Sequence, residues 1–126
     1  MYQAFGLLKP DSDFTLAAAA KRLAAKLPDF SIAQDERRLT ISSEDWEIHL
    51  VLNVGPEVIQ EARLLEEGIG GAQDDLGITS CARRVEVASD NADPELDHFN
   101  DYLAVIEVLK SFYGVIAVDP QGPSLL

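Results

Sequence analysis

The sequence predicts an α+β domain: an antiparallel β-meander with about three helices packed on one face. Three observations predict it. Residues 30–54 alternate apolar and polar side chains in three runs separated by short polar turns, the period of half-buried strands. Residues 93–112 repeat apolar side chains at three- and four-residue steps, the period of a helix. The chain of 126 residues, 47% of them hydrophobic, is sized for a single domain over residues 1–126 with one core.

Residues 2–8 read as the first strand, with Phe5 and Leu7 on one face and Lys9-Pro10 ending it. Asp11 or Ser12 then caps a helix that runs to Leu27. Its inner stripe is Leu16, Ala20, Leu23 and Leu27, and Lys21, Arg22 and Lys26 suit its negative C-terminal half. Phe30 and Ile32, then Leu39 and Ile41, then Trp46, Ile48, Leu50, Leu52 and Val54 mark the faces of three strands. Asp35-Glu36 and Glu44-Asp45 provide the turns between them. Gly55-Pro56 opens a second helix with Val58, Ile59, Ala62 and Leu65 inward, closed by Gly68, Gly70 and Gly71.

Residues 72–80 show no clear period, whereas 82–88, with Val85 and Val87, read as a short strand. The final unit, 93–120, is expected to anchor the core. Asp93 is a good N-cap, Pro94 suits a first helical turn, and Glu95 and Asp97 favour the positive end of the helix dipole. The stripe is Leu96, Phe99, Leu103, Ile106 and Leu109, widened by Tyr102, Val105 and Phe112. Gly114 ends the helix, residues 115–118 form a buried strand, and Leu125-Leu126 dock on the body or fray. A ferredoxin-like variant is the topology this order suggests first.

Charge bounds the function. Ten Lys+Arg against 22 Asp+Glu give a formal net charge of −12. Six basic groups lie before residue 44 and only four after it: Arg63, Arg83, Arg84 and Lys110. Such a field repels nucleic-acid phosphates, so no nucleic-acid partner is expected. It suits a protein with a basic surface, and the same excess of acid also keeps a protein soluble. No apolar run approaches the roughly 18–20 residues that span a bilayer, so no membrane association is expected. One cysteine, Cys81, and an N-terminus without a signal-peptide pattern lead to a cytoplasmic expectation.

Chemistry is thinly marked. Glu95, His98 and Asp101 are the candidate metal ligands, spaced for one helical face, with Asp90 or Asp93 as added donors. No second motif of that kind occurs, and a surface pair between His98 and Asp101 is the plainer reading. His49, with Glu47 or Asp45 near, has the makings of a general base but no nucleophile beside it. The loop Gly68-Ile69-Gly70-Gly71-Ala72-Gln73 follows a helix rather than a strand and leads into Asp74-Asp75, so it reads as a turn, not a phosphate cradle. The acidic run from Asp90 to Glu95 lacks the glycine a calcium loop needs at its sixth position. Arg83 and Arg84 follow Cys81 and would favour its thiolate, although a lone cysteine beside a strand is more often buried packing. No cofactor and no catalytic residue is expected.

The reading is therefore a small acidic partner-binding module, of inhibitory or immunity type by analogy of size and charge only. A homo-oligomeric ligand-sensing or structural domain is the alternative. It would pair by a sheet edge or by the face carrying Glu47, His49, Val51 and Asn53. A metal-dependent enzyme using Glu95, His98 and Asp101 is the third.

Overall fold

In a computed structural model describing residues 2–69 and 77–126, each alternating run is a strand. In chain order the elements are β1 (Tyr2–Leu8), α1 (Leu16–Lys26), β2 (Ser31–Gln34), β3 (Arg38–Ser42), β4 (Glu47–Asn53), α2 (Glu57–Ile69), β5 (Arg83–Ser89), α3 (Phe99–Lys110), β6 (Val115–Asp119) and β7 (Ser124–Leu125). A 3-10 turn at Ile78–Ser80 precedes β5. The fold is α+β, with all seven strands antiparallel in one sheet ordered β2-β3-β4-β5-β1-β6-β7. Among the described residues, no helix is long and apolar enough to cross a membrane.

The helices divide two and one across the sheet, where the sequence pattern suggested a single covered face. Ala4 and Leu8 of β1 join Leu39, Ile41, Ile48, Leu50, Val85 and Val87 under α1 and α3. Phe5, Leu7 and Val118 point the other way, into a second cluster with Ala62 and Leu65 of α2 and with Ile78 and Cys81. The physical reason lies in β1, whose residues from Ala4 to Leu8 are all buried. A strand apolar on both sides needs cover on both sides.

α1 begins at Leu16 rather than near Asp11, because Thr15 is the N-cap and its Oγ1 accepts from the Ala18 N–H at 3.1 Å. Ser12 instead accepts from the Phe14 N–H at 3.2 Å, a local turn that leads into the helix. The buried stripe takes Ala19 in place of Ala20. α2 buries Val58, Ala62 and Leu65 and leaves Ile59 exposed. The two-residue β7 docks the tail on β6, with Leu125 opposite Val118.

α3 departs most from expectation. It starts at Phe99, and its buried residues are Tyr102, Val105, Ile106, Val108 and Leu109. Leu96, Phe99 and Leu103, placed in the inner stripe by spacing alone, are 61%, 40% and 39% exposed. Leu96 lies in the turn before α3, and Phe99 and Leu103 lie one turn apart on its exposed side. The helix is held to α1 by Lys26–Glu107 at 2.8 Å and by Arg22, which donates to Ser111 Oγ at 2.9 Å while its guanidinium lies 3.7 Å from the Phe112 ring centre.

Gly114 closes α3 at φ +72°, and a Cβ there would stand 2.8 Å from the Ser12 Cα. Both backbone strain and a clash with main chain follow from any side chain. Gly114→Ala is expected to cost about 2 kcal/mol or more in urea unfolding. Gly122→Ala, with nothing within 4 Å of the added carbon, is the neutral control.

Candidate functional site

Two segments without a Lys or Arg, residues 39–62 and 85–109, meet at one end of the sheet. The join is specific. The Glu47 N–H donates to Asn91 Oδ1 at 3.1 Å, and Ser89 Oγ donates to the Glu47 carbonyl at 2.9 Å. The His98 ring stacks on Trp46 with centres 4.7 Å apart and planes within 3°. Asp45, Asp93 and Asp101 are bound into this joint through His98, and Glu44, Asp90, Glu95 and Asp97 flank them in the sequence.

Asp93 builds the loop ahead of α3. Its carboxylate accepts from the Asp97 and His98 N–H groups, both at 3.0 Å, and from the Tyr2 hydroxyl. Asp93 thus caps a chain turn rather than α3 itself. Leu96 sits within that turn at φ +59°, the single non-glycine positive φ among the described residues. A leucine held left-handed and exposed is strained by roughly 1–2 kcal/mol. The turn carries Leu96 outward beside Phe99, so two large apolar side chains stand among acids. Below them the Tyr2 ring stacks on Tyr102 at 4.8 Å and meets Trp46 edge-on at 6.2 Å. The Trp46 Nε1 is buried without a hydrogen-bond partner.

Burial, then the Asp93 hydrogen bond and charge, push the Tyr2 phenol up to about 12. The same hydrogen bond, helped by the His98 and Asp97 N–H groups, holds the Asp93 carboxyl below its ordinary value. His98 places Nδ1 3.0 Å from Asp101 Oδ2 and Nε2 3.5 Å from Asp45 Oδ1.

Of the three metal candidates, the structure brings His98 and Asp101 together but not Glu95, which precedes α3, is exposed and shares no helical face with them. Among the described residues, no group of three His, Cys, Asp or Glu side chains is placed to hold a metal ion. His49 lies on the other side of the sheet, its Nδ1 3.2 Å from Thr40 Oγ1 and its Nε2 3.2 Å from Glu47 Oε1. That is an ordinary cross-strand arrangement on an uncovered face. Cys81 is buried in the second core cluster. Gly68 closes against Pro123, which a Cβ would approach to 2.7 Å. Gly70, Gly71, Ala72, Gln73, Asp74 and Asp75 lie outside the described residues.

Sequence reasoning missed an ionic network under α2 built on one buried residue, Arg84, whose partners Glu86 and Glu61 remain partly exposed. Arg84 is 4% exposed; its Nε and Nη2 each lie 2.7 Å from Glu86 Oε2, and its Nη1 lies 2.8 Å from Glu61 Oε1 without hydrogen-bond alignment. Its guanidinium also stands 4.1 Å from the Phe5 ring centre, and Asn53 Nδ2 donates to Glu86 and Glu57 at 2.8 and 3.1 Å. The signal was present: Arg84 and Glu86 alternate with Val85 and Val87, which places them together on the face opposite α1 and α3.

No family model, curated protein or solved structure matches this chain.

Leu96→Gly should stabilise the fold by about 1 kcal/mol in urea unfolding, because glycine adopts the left-handed region freely. Arg84→Ala should cost about 2 kcal/mol, since it removes a buried side chain packed on Phe5 and leaves a gap beneath α2, while the half-exposed Glu86 can turn to solvent. Thermal unfolding should show two pH limbs. Asp93, depressed in the fold, stabilises it above the ordinary carboxylate range and loses that effect as pH falls through its folded value. Tyr2, raised in the fold, stabilises it below pH 10 and loses that effect as pH rises towards about 12. Asp93→Asn should reduce the acid limb, to which Glu57 and Glu107, also held below their ordinary value, still contribute. Tyr2→Phe should reduce both limbs, because its hydroxyl is the main cause of the Asp93 depression. Tyr102, raised by burial, and Tyr113, raised by its hydrogen bond to Asp11, preserve part of the alkaline limb.

Proposed function

We propose that this chain is a partner-binding module whose acidic end docks a basic surface on another protein, in the manner of an inhibitory or immunity-type protein. One observation carries the reading: Leu96 and Phe99 stand exposed, the former on a strained turn, within a segment, residues 85–109, that is rich in carboxylates and has no Lys or Arg. Apolar anchors ringed by like charges suit a partner whose own apolar contacts are ringed by basic side chains. Charge steers the encounter, and the two side chains supply what affinity the acids alone would not. Tyr2, Tyr102 and Trp46 beneath them form a stiff floor, which lowers the ordering cost of docking.

The order of β1, α1, β4, β5, α3 and β6 supports a ferredoxin-like variant as the core. Strands β4-β5-β1-β6 lie adjacent and α1 and α3 share a face, with the β2–β3 hairpin, α2 and β7 as additions. We place the site of action in the cytoplasm, a reading supported by the single cysteine.

The test is titration against synthetic amphipathic peptides of equal length, one basic, one neutral and one acidic. Only the basic peptide should bind, and its affinity should fall steeply as salt rises. Leu96→Gly combined with Phe99→Ala should weaken it about tenfold without altering the salt slope. Asp97→Lys with Glu95→Lys should reduce that slope. Binding indifferent to salt, or equal binding of all three peptides, removes the proposal.

A further inference from the structure

Among the described residues, the outer strand β2 pairs with β3 alone, which leaves one of its edges open. Natural edge strands are commonly protected by charge, proline or a bulge. The residues Ser31-Ile32-Ala33-Gln34 have none of these, and they pair with Ser42, Ile41, Thr40 and Leu39 in unbroken register. Ser31, Ala33 and Gln34 are exposed and Ile32 is half-buried.

The hairpin sets which backbone groups face outward. The Asp35 N–H donates to the Arg38 carbonyl at 3.0 Å, so that pair is a hydrogen-bonded one. Hydrogen-bonded and non-bonded pairs alternate along an antiparallel ladder. Residues 33 and 31 therefore bond inward to β3, and Ile32 and Gln34 turn both N–H and C=O outward.

We propose that a second copy of this chain pairs with the β2 edge, antiparallel about a two-fold axis, to join the two sheets into one. One register satisfies the outward groups. Ala33 meets the Ala33 of the second copy on the axis, and Ile32 of each copy lies opposite Gln34 of the other. Every outward N–H and C=O of these residues is then bonded.

Charge selects the same register. It sets Asp29 across from Arg37 of the second copy, twice by symmetry, and both residues are exposed. Sliding two residues one way sets Asp29 against Asp35 and calls on the Phe30 N–H, which already donates to the Leu27 carbonyl at 3.1 Å. Sliding the other way pairs Ile32 with Glu36, in the turn. Cross-strand pairs of opposite sign stabilise and like pairs oppose. Leu96 and Phe99 are not among the residues paired in this register, so docking there and β2 pairing use different side chains.

Light scattering across a concentration series tests the proposal. The mass should climb from 13.8 kDa towards twice that value. Asp29→Arg and Arg37→Asp should each weaken the dimer about tenfold, as two symmetry-related pairs turn repulsive, and the double variant should recover it. Gln34→Pro should give a monomer with an unchanged circular dichroism spectrum, because the N–H it removes faces away from β3. A monomer at about 1 mM overturns the proposal. So does a dimer that survives Gln34→Pro and both charge reversals, since it must use the open sheet face or another edge.

Discussion

Burial of β1 on both of its faces is the constraint on which the architecture depends. A central strand reading Ala-Phe-Gly-Leu-Leu has no polar side to offer water. Its even-numbered side chains need the layer of α1 and α3, and its odd-numbered ones need α2. Covering one face alone would leave Phe5 and Leu7 in solvent, a loss of roughly 1.5–3 kcal/mol for each side chain. α2 packs on side chains of β1 and β6 and touches β5 and β7, and the outer-face residues of β2, β3 and β4 keep part of their surface in solvent. The side chains there agree with that exposure: Thr40, Ser42 and His49 are only half-buried.

The same division sorts the charges. Arg84 sits where the covered part of the second face gives way to the open part, and burial there is tolerable because Glu86 and Glu61 accompany it. With one of the four late basic groups committed inside, the exposed surface contributed by residues 44–126 is more one-sided than composition suggests. At the end of the sheet where β4 begins and β5 ends, the two segments that meet, residues 39–62 and 85–109, carry no Lys or Arg, and His98 is paired with Asp101 and Asp45. Asp93 takes three hydrogen bonds and shapes the turn that holds Leu96 outward. An acidic residue that began as a helix-cap candidate is thereby the organiser of an exposed surface.

Much of the architecture was legible because period reports burial locally. Strict alternation in residues 30–54 located β2, β3 and β4 and chose their buried side, since a one-residue slip would have turned every apolar group outward. Helical spacing located α1, α2 and α3, and Gly114 was readable as a stop because few other residues accept its φ. The apolar run of β1 was legible too, but it was given one face when its lack of alternation argued for two.

Local pattern accounts for the elements from β1 to β6, the α+β class and the acidic, lysine-poor character of the later two-thirds, but not for β7 or the 3-10 turn before β5. Tertiary structure alone decided which face each helix covers, where α3 starts and which of its apolar residues are left over. The reason is that spacing defines a stripe on an isolated helix, whereas neighbours decide which edge of the stripe is used. α1 and the sheet took Tyr102, Val105 and Leu109, leaving Leu96, Phe99 and Leu103 at the surface. Pairing between residues far apart in the chain, such as Tyr2 with Asp93, Trp46 with His98 and Arg84 with Glu61, leaves no periodic trace. Those contacts build the acidic end and the ionic network around Arg84, so both became visible only in the fold.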